Sequence, residues 1–159
     1  MSPIHRSLPL FVALALAAPS AGAQGRPLRV TGQHDLTFGS ILPGVAVTIR
    51  PTDASRSAQL QIAGPKLAQV VLTFSLPPSM TSPSGDAMPL TFGPTSAGYS
   101  PTGSVADETL FDPSTPITVT LDGNGRGVVF LGATLRPSGG QRAGNYSASL
   151  TLTLSPSGL

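Results

Sequence analysis

The sequence predicts an all-β fold, a sandwich or barrel of antiparallel strands, from two observations. Apolar side chains recur at every second position in most segments, the period of a strand with one buried face. Turn residues separate these segments at short intervals, and the chain holds 18 glycines and 17 prolines. The last segment, Asn145 to Ser155, is the clearest case: Tyr146, Ala148, Leu150, Leu152 and Leu154 alternate with Ser and Thr.

The same alternation predicts the other strands in chain order. Their inward residues are Leu36 and Phe38 in a strand from Asp35 to Ile41, then Val45, Val47 and Ile49, then Leu60 and Ile62, then Val70, Leu72, Phe74 and Leu76, then Ile117, Val119 and Leu121, then Val129, Leu131, Ala133 and Leu135. The predicted core consists of these fourteen residues: Leu36, Phe38, Val47, Ile49, Leu60, Ile62, Leu72, Phe74, Val119, Leu131, Leu135, Tyr146, Leu150 and Leu152.

Turn chemistry supports these boundaries. Pro43-Gly44, Gly64-Pro65 and Gly139-Gly140 each end or precede an alternating run, and Asp122-Gly123-Asn124-Gly125 is typical of a hairpin turn with positive φ. Residues 77–116 interrupt the order with many prolines. We expect one or two short edge strands there, near Met88–Phe92 and Thr109–Phe111, with both phenylalanines packed inward.

Residues 1–23 are typical of a secretory signal peptide, which would leave residues 24–34 as an N-terminal extension and 35–159 as one domain. A basic start is followed by an apolar run from Leu8 to Ala18 and a small-residue cleavage motif, so we place the cut between Ala23 and Gln24. The alternative is an uncleaved anchor. No later apolar run could span a bilayer. The sequence therefore predicts export, to the periplasm, the cell surface or the medium.

Charge and cysteine content argue against several classes of function. Eight basic and seven acidic side chains remain after Ala23, a net charge of about +1, and the sequence contains no run of Lys or Arg, so nucleic acid is not expected as a partner. The chain has no cysteine, so the fold depends on its core and strand pairing rather than on disulfides. One histidine after Ala23 and no cysteine leave no zinc site.

Few residues could carry catalysis. A Ser–His–Asp triad would have to use His34, and no Gly-x-Ser-x-Gly motif accompanies it. The acids Asp107, Glu108 and Asp112 could act as paired carboxylates or hold Ca²⁺, but a solvated loop explains them as well. We therefore predict no enzyme, cofactor or metal. Tyr146 is expected to be structural, its hydroxyl bonded to nearby backbone as in a tyrosine corner.

Three blocks give the chain a family resemblance: Asp35-Leu36-x-Phe38-Gly39-x-Ile41-x-Pro43-Gly44, Gly127-x-x-x-x-Leu131-Gly132-Ala133-Thr134-Leu135, and Ala143-Gly144-Asn145-Tyr146-Ser147 before alternating Leu and Thr. The chain resembles the bacterial exported proteins grouped as domain of unknown function 4402, relatives of spore coat protein U and the archaic chaperone–usher pilins. The resemblance implies an immunoglobulin-like sandwich of about seven strands, with a periplasmic chaperone and an usher as partners.

Two functional hypotheses follow. The first is a structural or adhesive surface subunit that binds itself or other subunits by strand addition. Its candidate donor is Gly25 to Gln33, in which Leu28 and Val30 alternate with polar residues, although this segment could equally pair within its own chain. The second is a monomeric periplasmic or secreted binding module for a glycan or protein, with its ligand surface at residues 77–116 and Tyr99 exposed there.

Overall fold

The computed structural model describes residues 25–158, which form twelve short strands and one 3₁₀ turn, Val105–Asp107. The predicted signal peptide and its cleavage site lie outside these residues. The strands are β1 (Arg29–His34), β2 (Val47–Ile49), β3 (Ala58–Ala63), β4 (Gln69–Ser75), β5 (Ser79–Thr81), β6 (Ala87–Thr91), β7 (Ala97–Ser100), β8 (Thr109–Phe111), β9 (Ile117–Thr120), β10 (Arg126–Leu131), β11 (Ala133–Leu135) and β12 (Thr151–Pro156). Every strand pair is antiparallel, which confirms the all-β prediction.

Two sheets enclose the main core. One has the order β1-β3-β10-β7-β8, and the other has the order β12-β4-β9. Alternating residues from both sheets meet between them and are buried: Ile62, Val70, Leu72, Tyr99, Val119, Val129 and Leu152, with Leu121 beside them. This is the arrangement that period-2 alternation produces when each sheet buries one face.

A single run of chain passes from the five-stranded sheet into a third sheet. β10 pairs with β3 and β7, and β11, which begins two residues after β10 ends, pairs with β2 and β6 in the sheet β2-β11-β6-β5. The bend falls at Gly132, where an added β-carbon would overlap the carbonyl oxygen of Ile49. Only glycine allows β2 to approach so closely. The sharp change of sheet divides one predicted strand into β10 and β11; β1 and the four strands in residues 77–116 bring the total to twelve rather than the seven expected.

The last predicted strand begins later than expected. In the register of β12 with β4, Thr151 lies opposite Ser75, so residues 148–149 would lie opposite Pro77 and Pro78. Proline has no amide hydrogen to donate, so the ladder stops there. Pairing resumes at Ser147, which exchanges backbone hydrogen bonds of 2.9 and 3.0 Å with Thr81. The strand predicted from Asn145 was therefore wrong over residues 145–150.

Two further predictions need correction. Residues 35–41 form no strand, because Gly39 adopts φ 68° and breaks the extended backbone, although Leu36 and Phe38 still point inward. Residues 77–116 supply four strands, and two of them, β6 and β7, lie inside their sheets rather than at an edge. Phe92 and Phe111 are partly buried against the core, as expected.

The predicted core is largely confirmed. Eight of its residues are buried: Phe38, Ile49, Ile62, Leu72, Val119, Leu131, Leu135 and Leu152. The other six, Leu36, Val47, Leu60, Phe74, Tyr146 and Leu150, are partly buried and pack against the core clusters. The prediction missed Met88 and Leu90 of β6, which lie in the proline-rich segment.

Candidate functional site

An apolar groove of about 550 Å³ opens along one side of the sandwich. It lies between the chain that follows β1 and residues 146–150, and we call it the edge groove. Its apolar lining comes from several elements: Leu36, Phe38, Leu60, Met80, Leu90, Phe92, Tyr146 and Leu150. Its volume falls in the range of small-molecule pockets, and its apolar lining beside a sheet edge also suits a peptide segment.

Tyr146 is fixed at the rim of the edge groove by hydrogen bonds. Its hydroxyl donates to the carbonyl oxygen of Arg142, 2.9 Å away and four residues upstream, and accepts from the side-chain amide of Gln141 at 2.8 Å. Its ring packs against the core cluster that contains Phe38 and Met88. The backbone bond is of the kind expected for a tyrosine corner.

β12 forms one edge of the three-stranded sheet, immediately after the residues that line the edge groove. The amide of Ser157 donates to the carbonyl oxygen of Gln69 in β4 at 3.0 Å. Because antiparallel pairs alternate, the amides of Leu152 and Leu154 point away from β4. No charged residue follows Arg142 in the sequence. The outer edge of β12 therefore lacks the charges that commonly prevent strand pairing.

The candidate donor segment pairs within its own chain. β1 lies antiparallel to β3, with Val30 opposite Ile62 and a register shift between Gly32 and His34. Leu28 is partly buried against the main core, while Val30 is 39% exposed. All six residues of β1 are exposed. Backbone hydrogen bonds thus hold this strand more than side-chain burial does.

His34 is bound to backbone rather than to a catalytic partner. Its Nδ1 lies 2.9 Å from the carbonyl oxygen of Ser57, and since a carbonyl only accepts, this nitrogen carries the hydrogen. The imidazole is exposed at the border of the edge groove. This arrangement orients the ring but supplies no nucleophile.

The carboxylates of the three clustered acids have different surroundings and share no hydrogen-bond partner. Asp107 accepts hydrogen bonds from Ser100 and Thr102, each at 2.5 Å, and these bonds lower its pKa. Asp112 accepts from its own turn, with the same effect on its pKa. The Glu108 carboxylate instead lies over Gly98 with both oxygens buried and without a hydrogen-bond partner, and burial raises its pKa.

Other candidate residues are structural. The carboxylate of Asp122 accepts the amides of Asn124 and Arg126 at 2.8 and 2.7 Å, which closes the predicted turn and lowers the pKa of Asp122. The expectation that Tyr99 is exposed was wrong. Tyr99 is 8% exposed, donates to the carbonyl oxygen of Thr120 at 2.7 Å, and has its pKa raised to about 12 by burial and by the charge of Asp122.

Within residues 25–158, no three His, Cys, Asp or Glu side chains gather as a metal site would require. Nor is any helix in that range long and apolar enough to cross a bilayer. The chain matches no protein-family model, and its comparison with curated proteins gives no significant match. The edge groove was missed at the sequence level because its residues come from five separate segments; the pair Pro77-Pro78 was the signal that could have indicated it.

Proposed function

We propose that the protein is an exported, non-catalytic structural or adhesive surface subunit, of the pilin or coat-protein kind. In this proposal, neighbouring subunits associate by adding an extended segment to the outer edge of β12. The inserted segment continues the three-stranded sheet and places alternate side chains in the edge groove. A periplasmic chaperone and an usher would be the partners for such assembly.

The strand order supports an immunoglobulin-like interpretation of the sandwich. In the constant-type immunoglobulin fold, strands A, B, E and D form one sheet, and C, F and G form the other. The order β1-β3-β10-β7 corresponds to A-B-E-D, and β12-β4 corresponds to F-C. Among residues 25–158 no strand pairs with β12 on the side where G would lie, although β1 of the other sheet comes close to β12.

The observation that carries the proposal is this uncharged edge next to an apolar groove. The amides of Leu152 and Leu154 face outward there, and the preceding residues line the groove. A strand bound at this edge would satisfy both sets of groups at once: its backbone would pair with β12, and its side chains would bury apolar surface.

The candidate donor remains the segment with Leu28 and Val30. Since all six β1 residues are exposed, release of this segment from β3 would break mainly backbone hydrogen bonds, together with the packing of Leu28 against the main core. The strand that leaves one subunit could then pair with β12 of the next. A closed monomer and an exchanged polymer would differ only in the pairing of this segment.

Polymerisation of edge and donor variants tests the proposal. We expect Thr153→Lys, which places an exposed charge on β12, to reduce polymer formation measured by sedimentation. Thr73→Lys is the matched control, because Thr73 is exposed, lies directly opposite Thr153, and belongs to the central strand β4. Deletion of residues 24–33 should also abolish assembly while leaving a folded monomer. Equal polymerisation of both lysine variants, or a protein that stays monomeric at all concentrations, would refute strand addition at β12.

A second function is a monomeric binding module for a glycan or protein. The pairing of β1 within its own chain favours it, because the described fold then needs no neighbour. Its ligand would occupy the edge groove rather than the surface of residues 77–116, since Tyr99 is buried. Concentration-independent sedimentation together with ligand binding that Leu60→Gln abolishes would support this function over the first.

A further inference from the structure

Four basic residues from separate parts of the sequence meet at one end of the sandwich. Arg29 and Arg126 both lie opposite Ala63, one on each side of β3, so their α-carbons are about 10 Å apart across three strands. Arg26 reaches the turn after β9, with its guanidinium 3.5 Å from the carbonyl oxygen of Asn124. Lys66 lies in the neighbouring turn. We call these four residues the basic pole.

The two turns at this end are joined into one surface. The amide of Gly64 donates to the carbonyl oxygen of Gly125 at 2.9 Å, and the amide of Leu67 donates to the backbone carbonyl oxygen of Asp122 at 3.1 Å. All four cations of the basic pole are exposed, and none makes an ion pair with a described carboxylate. Asp122 is the one acid in residues 64–68 and 121–126; its carboxylate accepts backbone amides and also interacts with the charge of Arg126, so it offsets one of the four positive charges. Positive charge therefore remains available to a partner.

A leucine projects from the centre of this surface. Leu67 is 67% exposed and adopts φ 56°, which makes it the single non-glycine residue with positive φ in residues 25–158. A bulky side chain is costly in this conformation, whereas glycine or asparagine adopts it readily. Strain combined with exposure of a large apolar side chain indicates a role that folding alone does not explain.

We propose that the basic pole with Leu67 docks on an anionic membrane surface. Interfacial binding combines a few cations that attract acidic headgroups with an apolar side chain that enters the boundary of the acyl chains. The chain also enters the fold at this end, since Gly25 lies against Pro65.

Other partners fit these residues less well. Nucleic acid and soluble anionic polysaccharides would use the same cations, but neither explains an exposed leucine. Base stacking would need an exposed aromatic ring. Among residues 25–158, Phe130 is buried, and the other aromatic residues pack in or against the core clusters: Phe38, Phe74, Phe92, Tyr99, Phe111 and Tyr146. The basic pole therefore presents no ring for stacking.

Vesicle binding of the purified protein tests the proposal. We expect partitioning onto vesicles of phosphatidylglycerol mixed with phosphatidylcholine, little partitioning onto pure phosphatidylcholine, and weakening by salt. Arg26→Gln and Arg126→Gln should each lower the partition coefficient about fivefold. Leu67→Asn should lower it by up to about tenfold without loss of stability, because asparagine tolerates positive φ.

Matched variants at other surfaces serve as controls. Leu42→Asn removes a leucine of similar exposure, 70%, and Arg50→Gln with Arg136→Gln removes two charges away from the basic pole. These variants should bind vesicles as the parent protein does. Equal loss in pole and control variants, or equal binding to both kinds of vesicle, would overturn the proposal. The proposal would also be overturned if the protein bound dextran sulfate through Arg26 and Arg126 but did not bind either kind of vesicle.

Discussion

Replacement of Gly132 by alanine should destabilise the fold strongly. An ideal β-carbon there would lie 2.9 Å from the carbonyl carbons of Ile49 and Arg50 and closer still to the oxygen of Ile49. Ordinary carbon–carbon contacts are about 3.5–4.0 Å, so β2 must move outward by about 1 Å. That shift would loosen the β2–β11 ladder and uncover Ile49, which is 1% exposed. We expect a loss of about 3 kcal/mol in unfolding free energy.

Thermal unfolding followed by circular dichroism measures this effect. For a domain of this size, a loss of about 3 kcal/mol should lower the melting temperature by about 10 °C. Gly32→Ala is the matched control, because Gly32 also lies in a strand but an added β-carbon there meets nothing within 4 Å. A melting temperature for Gly132→Ala equal to that of the control would show that β2 does not depend on the close approach at Gly132.

Three further predictions concern individual side chains. Burial raises the pKa of Glu108 above the ordinary glutamate value of 4.5, so the free energy of unfolding should fall as the pH rises above 4.5. Urea unfolding at several pH values should show a smaller pH dependence for Glu108→Gln than for the parent protein. An unchanged profile would contradict this. Tyr99→Phe should lower the free energy of unfolding by about 1–2 kcal/mol in the same assay, because the carbonyl oxygen of Thr120 loses its buried donor. In an alkaline titration of the Tyr146→Phe variant, the remaining tyrosine, Tyr99, should ionise near pH 12. Leu67→Gly should raise the stability by about 1 kcal/mol through relief of the positive φ, and a lower melting temperature would count against strain at this residue.

Alternation predicted the fold where strands bury one face and expose the other. Val70, Leu72 and Val119 were placed correctly for that reason. β7 was missed because Ala97 and Gly98 carry almost no apolar signal, and its burial comes from the neighbours β10 and β8. Residues 145–150 do alternate, but the segment that would pair with them contains two prolines, which cannot donate backbone hydrogen bonds. The pattern of one segment gives no information about the segment opposite it.

The candidate site followed from the sequence only in part. Leu28 and Val30 were identified as a possible donor strand, but the pairing of Val30 with β3 depends on which sheet edge is nearer in three dimensions. The basic pole was invisible to a scan for runs of Lys and Arg, because Arg26, Lys66 and Arg126 are brought together by turns far apart in the chain. Charge clustering of this kind is a property of topology rather than of local composition.

The passage of one run of chain through two sheets also sets when the molecule can fold. β10 lies in the middle of its sheet and β11 is flanked on both sides in the next, and both come from residues 126–135, later in the chain than every strand with which they pair. Until that run emerges from the ribosome, β3 and β7 lack the strand β10 that lies between them, and β2 and β6 lack β11. Their apolar faces stay exposed to solvent. Folding is therefore dominated by pairing between distant segments and requires residues 126–135, so a nascent chain stopped short of residue 126 would depend on a holding factor to remain soluble.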